Sequence, residues 1–332
     1  MAKQWTADEV LEVSGEFQRA CVLMAAADLD VFGALMAEAK TAERLAADLQ
    51  ADTRAMRVLL DALAAMELLT KDGEAYRPAP GAVEALTEAA PHSAAAMVRH
   101  RANCLRGWAQ LAGVVRSGIP AERPPSVRGA AADLASFIEA MNVVSRQAAP
   151  GLVAAIGPPQ FTHLLDVGGG PGTWTIAFLQ AAPGATATLY DRPDVIPIAR
   201  KHVEAAGLVE RVTLAAGNFY EDESLPPGAD LAWVSAITHQ NSRRQNRELF
   251  AKVHAALAPG GRVLVRDVVM DESRTAPLAG AMFAVNMLVN TPAGGTYTFA
   301  ELSEDLLAAG FADPVLLRRD EGMNSVLQAT RP

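Results

Sequence analysis

The clearest indication of the fold is Leu164–Thr173, LLDVGGGPGT, where a short apolar run ends at an aspartate and continues into glycines. Glycine has no Cβ, so a strand-to-helix turn of this kind lets the backbone approach a ligand closely. The spacing is GxGxG, at Gly168, Gly170 and Gly172, and Thr173 stands where the dinucleotide fingerprint GxGxxG has its third glycine. No Gly-Lys-Ser/Thr follows. The segment predicts a ligand-binding turn that is not a P-loop and whose spacing disfavours a dinucleotide.

Short apolar runs alternate with helical patterns on both sides of this turn. The runs are HLLDVGG, ATLYD, VTLAAG, DLAWVSAI and RVLVRDVVM, and the helical patterns lie around residues 173–181, 196–206 and 245–256. Strand–helix alternation predicts a parallel sheet in a doubly wound, Rossmann-like α/β domain. In such sheets ligands bind outside the carboxyl ends of the strands. We therefore expect the functional residues to follow these apolar runs.

Two of the runs end in residues suited to a nucleoside. Asp191 ends ATLYD, 23 residues after Gly168, and its carboxylate can accept hydrogen bonds from both hydroxyls of a ribose. An isolated aspartate before Arg-Pro is more often only a turn residue. Asn218 and Phe219 follow the next run and offer an amide to an adenine edge and a ring for stacking. Combined with the glycine turn, these residues predict a nucleoside ligand.

A histidine follows the fourth run and is a candidate base. His239 lies just beyond DLAWVSAI, at the edge of the sheet that the glycine turn occupies. A neutral imidazole can take a proton near pH 7, although a histidine here can also simply bond to a neighbouring loop. Asp267 lies inside the fifth apolar run, where a buried carboxylate needs a partner. That partner is either the second ring nitrogen of His239, or Arg266 or Arg262.

The N-terminal hundred residues have a different pattern. One apolar helical face follows a cap at Asp52 or Thr53 and contains Met56, Leu59, Leu60, Leu63 and Met66. Asp72-Gly73 then separates two short extended runs, as in a β-hairpin. Helices followed by a hairpin suggest a winged-helix module. Its candidate recognition helix carries few cations beside several carboxylates, which favours packing or dimerisation over DNA binding.

Composition narrows the class of protein further. The 332 residues are 50% apolar, and 29 basic against 38 acidic residues give a net charge of −9, which opposes binding to nucleic acid and anionic membranes. Two cysteines support neither a disulfide framework nor a structural zinc site, and no metal-binding motif is recognisable. There is no signal-peptide core, and the apolar runs fall short of the ~20 residues of a membrane helix. We expect a soluble, cytoplasmic protein.

Together these residues resemble the class I S-adenosylmethionine-dependent methyltransferases, specifically the caffeate/acetylserotonin-type O-methyltransferase family. The resemblance covers nearly the whole chain. Its marks are DVGGGPG at Asp166–Gly172, YDRPDV at Tyr190–Val195, GNF at Gly217–Phe219 and LAPGGRVLVRD at Leu257–Asp267. The N-terminal half is similar to the winged-helix dimerisation domain of that family, with VFGAL at Val31–Leu35 and TAERLA at Thr41–Ala46.

The resemblance implies a role for each matching position. The cofactor S-adenosylmethionine would be bound by Gly168, Gly170, Asp191, Asn218, Phe219 and Ser235. His239 matches the histidine that deprotonates the acceptor hydroxyl, and Asp267 matches an acidic residue beside that histidine. Phe137, Met141 and Met287 match positions that line the acceptor pocket.

Three departures from the family pattern concern the acceptor and cofactor sites. Asn218 stands where the family usually has aspartate, and the family's His-Asp-Trp is here His239-Gln240-Asn241. A second family glutamate, expected after a Gly-Gly pair, is absent because Thr296 follows Gly294-Gly295. The predicted orientation of His239 therefore depends on one carboxylate fewer.

The predicted reaction is methyl transfer to the hydroxyl of a small molecule, with His239 as general base. A phenol suits this base because its pKa near 10 is within reach of an imidazole. Three alternatives remain: methyl transfer to carbon or nitrogen, use of the cofactor for other chemistry, and a cofactor-sensing regulator that binds DNA.

The resemblance also implies an arrangement of domains. We expect a helical winged-helix-like dimerisation domain over residues 1–100 and a helical connector contributing to the acceptor pocket over 101–155. The cofactor-binding domain would cover residues 156–332. The protein would form a homodimer, because the apolar helices near Phe17–Met36 exceed what one small domain can bury.

Overall fold

The computed structural model describes residues 3–88, 90–157 and 160–332. The chain forms two compact units. The first runs up to Arg106 and adds Arg123–Val143, and the second combines Gly107–Glu122 with Val144–Pro332.

The helices in the described residues are α1 Ala7–Gly15, α2 Phe17–Asp28, α3 Val31–Ala34, α4 Ala42–Asp48, α5 Thr53–Ala65, α6 Pro80–Leu86, α7 Ala95–Trp108, α8 Leu111–Ser117, α9 Ala130–Ser145, α10 Ala149–Ala155, α11 Thr173–Ala181, α12 Ile196–Ala205, α13 Arg243–Ala256, α14 Leu278–Asn290 and α15 Phe299–Ala308. Single turns of 3₁₀ helix occur at Val209–Arg211 and Thr238–Gln240.

The strands in the same residues are β1 Lys40–Thr41, β2 Leu69–Asp72, β3 Ala75–Pro78, β4 His163–Val167, β5 Thr186–Asp191, β6 Val212–Ala216, β7 Ala229–Ser235, β8 Leu257–Asp267, β9 Val269–Met270, β10 Tyr297–Thr298, β11 Ala312–Arg318 and β12 Ser325–Thr330.

The first unit contains the helices and hairpin that the sequence predicts. Of the two possible caps of α5, Asp52 is the one used, since its Oδ1 accepts a hydrogen bond from the backbone N–H of Ala55 at 2.8 Å. The apolar face of α5 is buried through Met56, Leu60 and Leu63. Strands β2 and β3 pair antiparallel around the turn at Gly73, and β1 joins the other edge of β3. This is the geometry of a winged helix.

The second unit is built on a seven-stranded sheet of described residues in the order β11-β12-β8-β7-β4-β5-β6. Strands β6, β5, β4, β7 and β8 run parallel, as the strand–helix alternation predicts. Strand β12 pairs antiparallel with β8, and β11 pairs antiparallel with β12 at the edge of the sheet; neither strand was predicted from the sequence. This is the doubly wound, Rossmann-like α/β fold that the sequence predicts, and the N-terminal unit is mainly helical.

Helices cover both faces of this sheet. Successive residues of a strand point to opposite sides, so the apolar strands present residues for packing on each face. On one side Val167, Val234 and Val265 pack with residues of α13 and α15. On the other side Leu164 and Trp233 pack with residues of α10 and α11. A doubly wound sheet covered in this way leaves its carboxyl edge as the accessible place for a ligand.

None of the helices in the described part of the chain has the length and apolar character needed to cross a lipid bilayer.

Candidate active site

The glycine turn links β4 to α11 at the carboxyl edge of the sheet. Gly168 has a φ of +68°, and a Cβ built on it would lie 2.6 Å from Cδ1 of Ile237. Gly170 has a φ of +56° and no atom within 4 Å of its built Cβ. Gly168 is therefore required for close packing and for its left-handed backbone conformation. Gly170 keeps the turn open on the side where a ligand can approach.

Asp166 anchors this turn from below. Its carboxylate is 1% exposed and accepts a hydrogen bond from Oγ1 of Thr175, in α11, at 2.5 Å. Burial raises the pKa of the Asp166 carboxyl to about 7. The bond joins the end of β4 to the helix that follows the glycines, so Asp166 supports the turn without facing the cleft.

Asp191 lies at the end of β5 beside the glycine turn. Its Oδ2 accepts the backbone N–H of Gly170 at 2.7 Å, and its Oδ1 accepts that of Arg192 at 2.7 Å. Each oxygen of a carboxylate can accept two hydrogen bonds, so both keep one acceptor position for a ligand. Burial raises the pKa of this carboxyl, although the two backbone bonds oppose that effect. The geometry fits a diol such as the ribose hydroxyls.

The segment after β6 is held by side chains from the same unit. Oδ1 of Asn218 accepts the backbone N–H of Tyr220 at 3.1 Å, and Phe219 Cε1 would lie 3.7 Å from a Cβ on Gly168. The ammonium of Lys252 donates to the carbonyl oxygen of Phe219 at 2.8 Å. The structure thus brings Asn218 and Phe219 to the glycine turn. Lys252 was not predicted from the sequence, because no motif distinguishes it from other helix lysines.

Ser235 ends β7 and bonds to Arg266, which the sequence suggests only as a possible partner for Asp267. Nη1 of Arg266 donates to Oγ of Ser235 at 3.1 Å, and the guanidinium lies 4.5 Å from the ring centroid of Trp174. Nε and Nη2 of Arg266 both donate to Oδ1 of Asn324. Burial lowers the pKa of Arg266 to about 10. Ser235 keeps its own hydroxyl proton for donation to a ligand.

The chain turns sharply between Ser235 and the candidate base. Ala236 has a φ of +57°, a conformation that costs a non-glycine residue about 1–3 kcal/mol. Its N–H donates to the carbonyl oxygen of Arg266 at 2.8 Å, which fixes the turn to β8. The next residues form the 3₁₀ turn Thr238–Gln240 that contains His239. The strained residue therefore redirects the backbone immediately before the histidine.

His239 and Asp267 form a buried pair. Nδ1 of His239 lies 2.8 Å from Oδ1 of Asp267, and the two residues are 9% and 1% exposed. Arg266 and Arg262, the alternative partners of Asp267, bond elsewhere, because Arg266 points to the opposite face of β8 and Arg262 donates to the carbonyl oxygen of Gln160.

The protonation states of this pair follow from its hydrogen bonds. Burial alone would raise the pKa of Asp267, but the charge and hydrogen bond of His239, with bonds from Thr238 and the N–H of Val268, bring it below its ordinary value. An ionised carboxylate can only accept, so Nδ1 of His239 carries the proton. In the neutral imidazole, Nε2 then has the lone pair. A histidine in this state is suited to remove a proton from a hydroxyl.

The two glycines before the position of the missing second acid contact the main chain of His239. The N–H of Gly295 donates to the carbonyl oxygen of His239 at 2.8 Å. A Cβ on Gly294 would lie 2.5 Å from that same oxygen. The segment after α14 therefore supports the main chain of His239. Phe283, in α14, contacts the ring edge to face, with centroids 4.7 Å apart. No motif singled out Phe283.

The predicted acceptor residues are distributed over both units. Phe137 and Met141 lie on α9 in the first unit, where Phe137 is 41% exposed and stacks at a tilt on His100, with centroids 5.1 Å apart. Met287 lies on α14 in the second unit and is 6% exposed. Beside the turn that contains His239, the second unit has a cavity of about 410 Å³ whose lining includes Gln240 and Tyr220.

Within the residues that the structure describes, no three His, Cys, Asp or Glu side chains are grouped so as to hold a metal ion. The residues that the structure brings to the carboxyl edge of the sheet are the glycine turn and Asp191, which can bind a ligand, and the His239–Asp267 pair, which can accept a proton.

A doubly wound sheet with a GxGxG turn, and beside it an aspartate that can still accept hydrogen bonds, is the arrangement of a class I S-adenosylmethionine-dependent methyltransferase. The family model for the O-methyltransferase domain matches residues 127–312, more than half of the chain, and that for the O-methyltransferase dimerisation domain matches residues 11–99. The chain belongs to this O-methyltransferase family and is an S-adenosylmethionine-dependent O-methyltransferase.

Its relatives include enzymes of known specificity. The chain is 30% identical to the tetracenomycin polyketide synthesis 8-O-methyltransferase of Streptomyces glaucescens, over 92% of this chain and 91% of that protein. It is 30% identical to the 3-hydroxy-5-methyl-1-naphthoate 3-O-methyltransferase of Streptomyces sahachiroi, over 93% and 91% of the two chains. The crystal structure of human N-acetylserotonin methyltransferase with S-adenosylmethionine superimposes with a TM-score of 0.78 at 26% identity, covering 100% of this chain and 99% of that one.

Proposed function

We propose that this protein methylates a hydroxyl group of a small aromatic acceptor, with His239 as the general base and Asp267 as the residue that orients it. The observation that carries the proposal is the buried His239–Asp267 pair, with Nδ1 and Oδ1 2.8 Å apart. It lies at the edge of the sheet where the glycine turn and Asp191 also lie. One edge thus combines a nucleoside-type site with a poised base.

The residues at the edge of the sheet fit the cofactor. Gly168 and Gly170 present backbone without side chains, and Asp191 keeps acceptor positions for a ribose. Asn218 and Phe219 are the proposed adenine contacts, and Ser235 a further cofactor contact. When bound, S-adenosylmethionine supplies a sulfonium methyl group. This chain's part is to hold the ribose through Asp191 and the turn through Asp166.

The acceptor is proposed to be a phenol or a related aromatic hydroxyl compound. His239 would accept the hydroxyl proton at Nε2, and a phenol with a pKa near 10 suits that base better than an aliphatic alcohol. General base catalysis of this kind contributes about 10²–10⁴-fold to the rate. The three named relatives support this choice, since a polyketide, a naphthoate and an acetylserotonin appear in their names. Phe137, Met141 and Met287 remain proposed acceptor contacts.

The test uses a panel of phenols and naphthols with radioactive S-adenosylmethionine, followed by identification of the methylated atom. We expect an O-methylated product with the wild-type protein and a loss of about 10²–10⁴-fold in kcat with His239→Ala. S-adenosylhomocysteine should bind both proteins equally in calorimetry. Full turnover by His239→Ala would exclude the base assignment, and methylation of carbon or nitrogen would replace the proposed acceptor group.

We further propose that the protein acts as a homodimer through the winged-helix region of residues 1–100. Helix α1 buries none of its residues, and Val10, Leu11, Val13 and Phe17 are each more than half exposed. Exposed apolar residues in a row are typical of a protein interface. The match of residues 11–99 to the dimerisation-domain model supports a second copy of this chain as the partner. Sedimentation at micromolar concentration should give a dimer, and a stable monomer would contradict it.

We also propose a role for each of the two segments that follow residue 100. Residues 156–332 would bind the cofactor, and residues 101–155 would contribute side chains to the acceptor pocket. Alanine substitution of Phe137 or Met141 should then raise KM for the acceptor without changing the affinity for S-adenosylhomocysteine.

A further inference from the structure

A buried polar network lies directly behind the turn that contains His239. Asn241 and Asn246 are both fully buried, at 0% exposure. Nδ2 of Asn241 donates to Oδ1 of Asn246 at 3.0 Å, and Nδ2 of Asn246 donates to the carbonyl oxygen of Thr238 at 3.1 Å. Two buried amides are therefore bonded to each other and to the backbone beside the histidine.

Two tyrosines bond to the same asparagine from different segments of the chain. The hydroxyl of Tyr220, after β6, donates to Oδ1 of Asn241, and the hydroxyl of Tyr297, in β10, donates to its carbonyl oxygen. Burial raises the pKa of both hydroxyls, to about 12 for Tyr297, so both keep their protons and remain donors. Asn241 thus joins the segment after β6, strand β10 and helix α13.

The network ends at the proposed base. Oγ1 of Thr238 donates to Oδ2 of Asp267 at 2.6 Å, and the N–H of His239 donates to the same oxygen at 3.2 Å. The carbonyl of Thr238 is held by Asn246 and its hydroxyl by Asp267. The turn that contains His239 is consequently held by two groups: the carboxylate of Asp267 and the amide of Asn246, which is bonded to Asn241.

We propose that Asn241 is a positioning residue for His239, acting through Asn246 and Thr238 and held in place by Tyr220 and Tyr297. The inference rests on the proposed function of His239 and extends it. In this chain the glycines at 294–295 bring no carboxylate to the histidine, and Asn241 follows His239-Gln240 in place of the family's tryptophan. The amide network performs the orientation that a second acid would otherwise supply.

A positioning role predicts a defect that depends on the acceptor. Base alignment matters only if a proton has to be removed, so an acceptor that is already ionised bypasses it. A purely structural role would reduce turnover of both kinds of acceptor equally. The comparison therefore uses a naphthol that is neutral at the assay pH and a nitro-substituted naphthol that is ionised at that pH.

The variants are Asn241→Ala and Tyr220→Phe, which removes only the hydroxyl that bonds to Asn241. With the neutral naphthol we expect kcat to fall about 10–100-fold in Asn241→Ala and less in Tyr220→Phe, because small misplacements of a catalytic group are costly. With the ionised naphthol we expect a change of less than about 3-fold, and the same limit for the Kd of S-adenosylhomocysteine. Tyr76→Phe is the matched control, since its hydroxyl bonds to Asp61 at 2.7 Å in the first unit.

Equal losses with both naphthols, or no loss with either, would overturn the proposal. If the wild-type protein methylates neither compound, the proposed function fails first, and the ¹⁵N NMR spectrum of histidine-labelled protein still decides the inference. The wild type should show a single protonated Nδ1 for His239, assigned by its absence in His239→Gln. Loss of that signal in Asn241→Ala supports positioning, and an unchanged signal contradicts it.

Discussion

The cofactor side and the base side of the cleft lie at one edge of the same sheet, but different kinds of contact build them. On the cofactor side, Gly170 bonds to Asp191 21 residues away and Asp166 to Thr175 nine residues away. On the base side, His239 bonds to Asp267 28 residues away, and Asn241 bonds to Tyr297 56 residues away. The cofactor side depends on a local motif, and the base side depends on side chains that only the complete fold assembles.

The largest effect should come from breaking the base side at its carboxylate. In Asp267→Asn the amide can donate to Nδ1 of His239, which would shift the ring proton to Nε2 and remove the acceptor of the hydroxyl proton. We expect kcat with a neutral phenol to fall about 10²–10⁴-fold. The affinity for S-adenosylhomocysteine should change little. The control is Asp271→Asn, whose half-exposed side chain pairs with Arg319; wild-type turnover by Asp267→Asn would contradict the assignment.

Asp166, which supports the glycine turn, should make the free energy of unfolding depend on pH. The folded pKa of Asp166, about 7, lies above that of an unfolded aspartate, so the folded state binds more protons between these values. Its contribution to stability therefore falls as the pH rises through that window, and asparagine has no such loss. Between pH 5 and pH 8, the free energy of unfolding of Asp166→Asn should rise by on the order of 2 kcal/mol relative to that of the wild type.

This gain is measured as the difference in Tm between the two proteins at each pH, without cofactor. The comparison cancels the titration of all other groups. A difference in Tm that is the same at pH 5 and pH 8 would show that the carboxyl of Asp166 titrates normally.

Breaking the cofactor side at Asp191 should affect binding rather than chemistry. Removing a carboxylate that accepts from a ribose costs about 1.5–3 kcal/mol, or about 10–100-fold in Kd for S-adenosylhomocysteine. At saturating cofactor, kcat should stay within about 3-fold of wild type, since uniform binding is what is lost. Asp194→Ala is the matched control, because Asp194 pairs with Arg192 at the surface. If Asp191→Ala binds S-adenosylhomocysteine with wild-type affinity in calorimetry, Asp191 does not contact the cofactor.

The smallest expected effect is at Ser235. Ser235→Ala removes one donor to the ligand and the acceptor of Nη1 of Arg266, but Arg266 keeps its bonds to Asn324. One neutral hydrogen bond is worth about 0.5–1.5 kcal/mol, so Kd for S-adenosylhomocysteine should rise about 3–10-fold with kcat unchanged. A fall in kcat at constant Kd would show that Ser235 contributes to the chemical step, as His239 is proposed to do, and does not contribute to cofactor binding.

The difference between the two sides explains how far the sequence could be interpreted. The GxGxG turn and the alternation of strands and helices predicted the doubly wound sheet, and the hairpin at Gly73 predicted the wing. Strands β11 and β12, which pair antiparallel, were not predicted, because the apolar residues of these strands form a pattern similar to that of the adjoining segments. Arg266 was considered only as a partner for Asp267, and Phe283 was not recognised as part of the site, since no motif marks it. The roles assigned to individual site residues stay predictions until the variants are measured.

By itself the sequence determined the class of fold, the glycine turn and the family, because these depend on periodicity and on spacing over a few tens of residues. Only the tertiary structure decided that Asp267 meets His239 and that Arg266, one residue before it, does not. Successive side chains of a strand leave on opposite faces, so neighbours in sequence become members of different sites. The tertiary structure also decided that Asn241, Asn246 and Tyr297 close around one turn, which requires segments far apart in the chain to pack together.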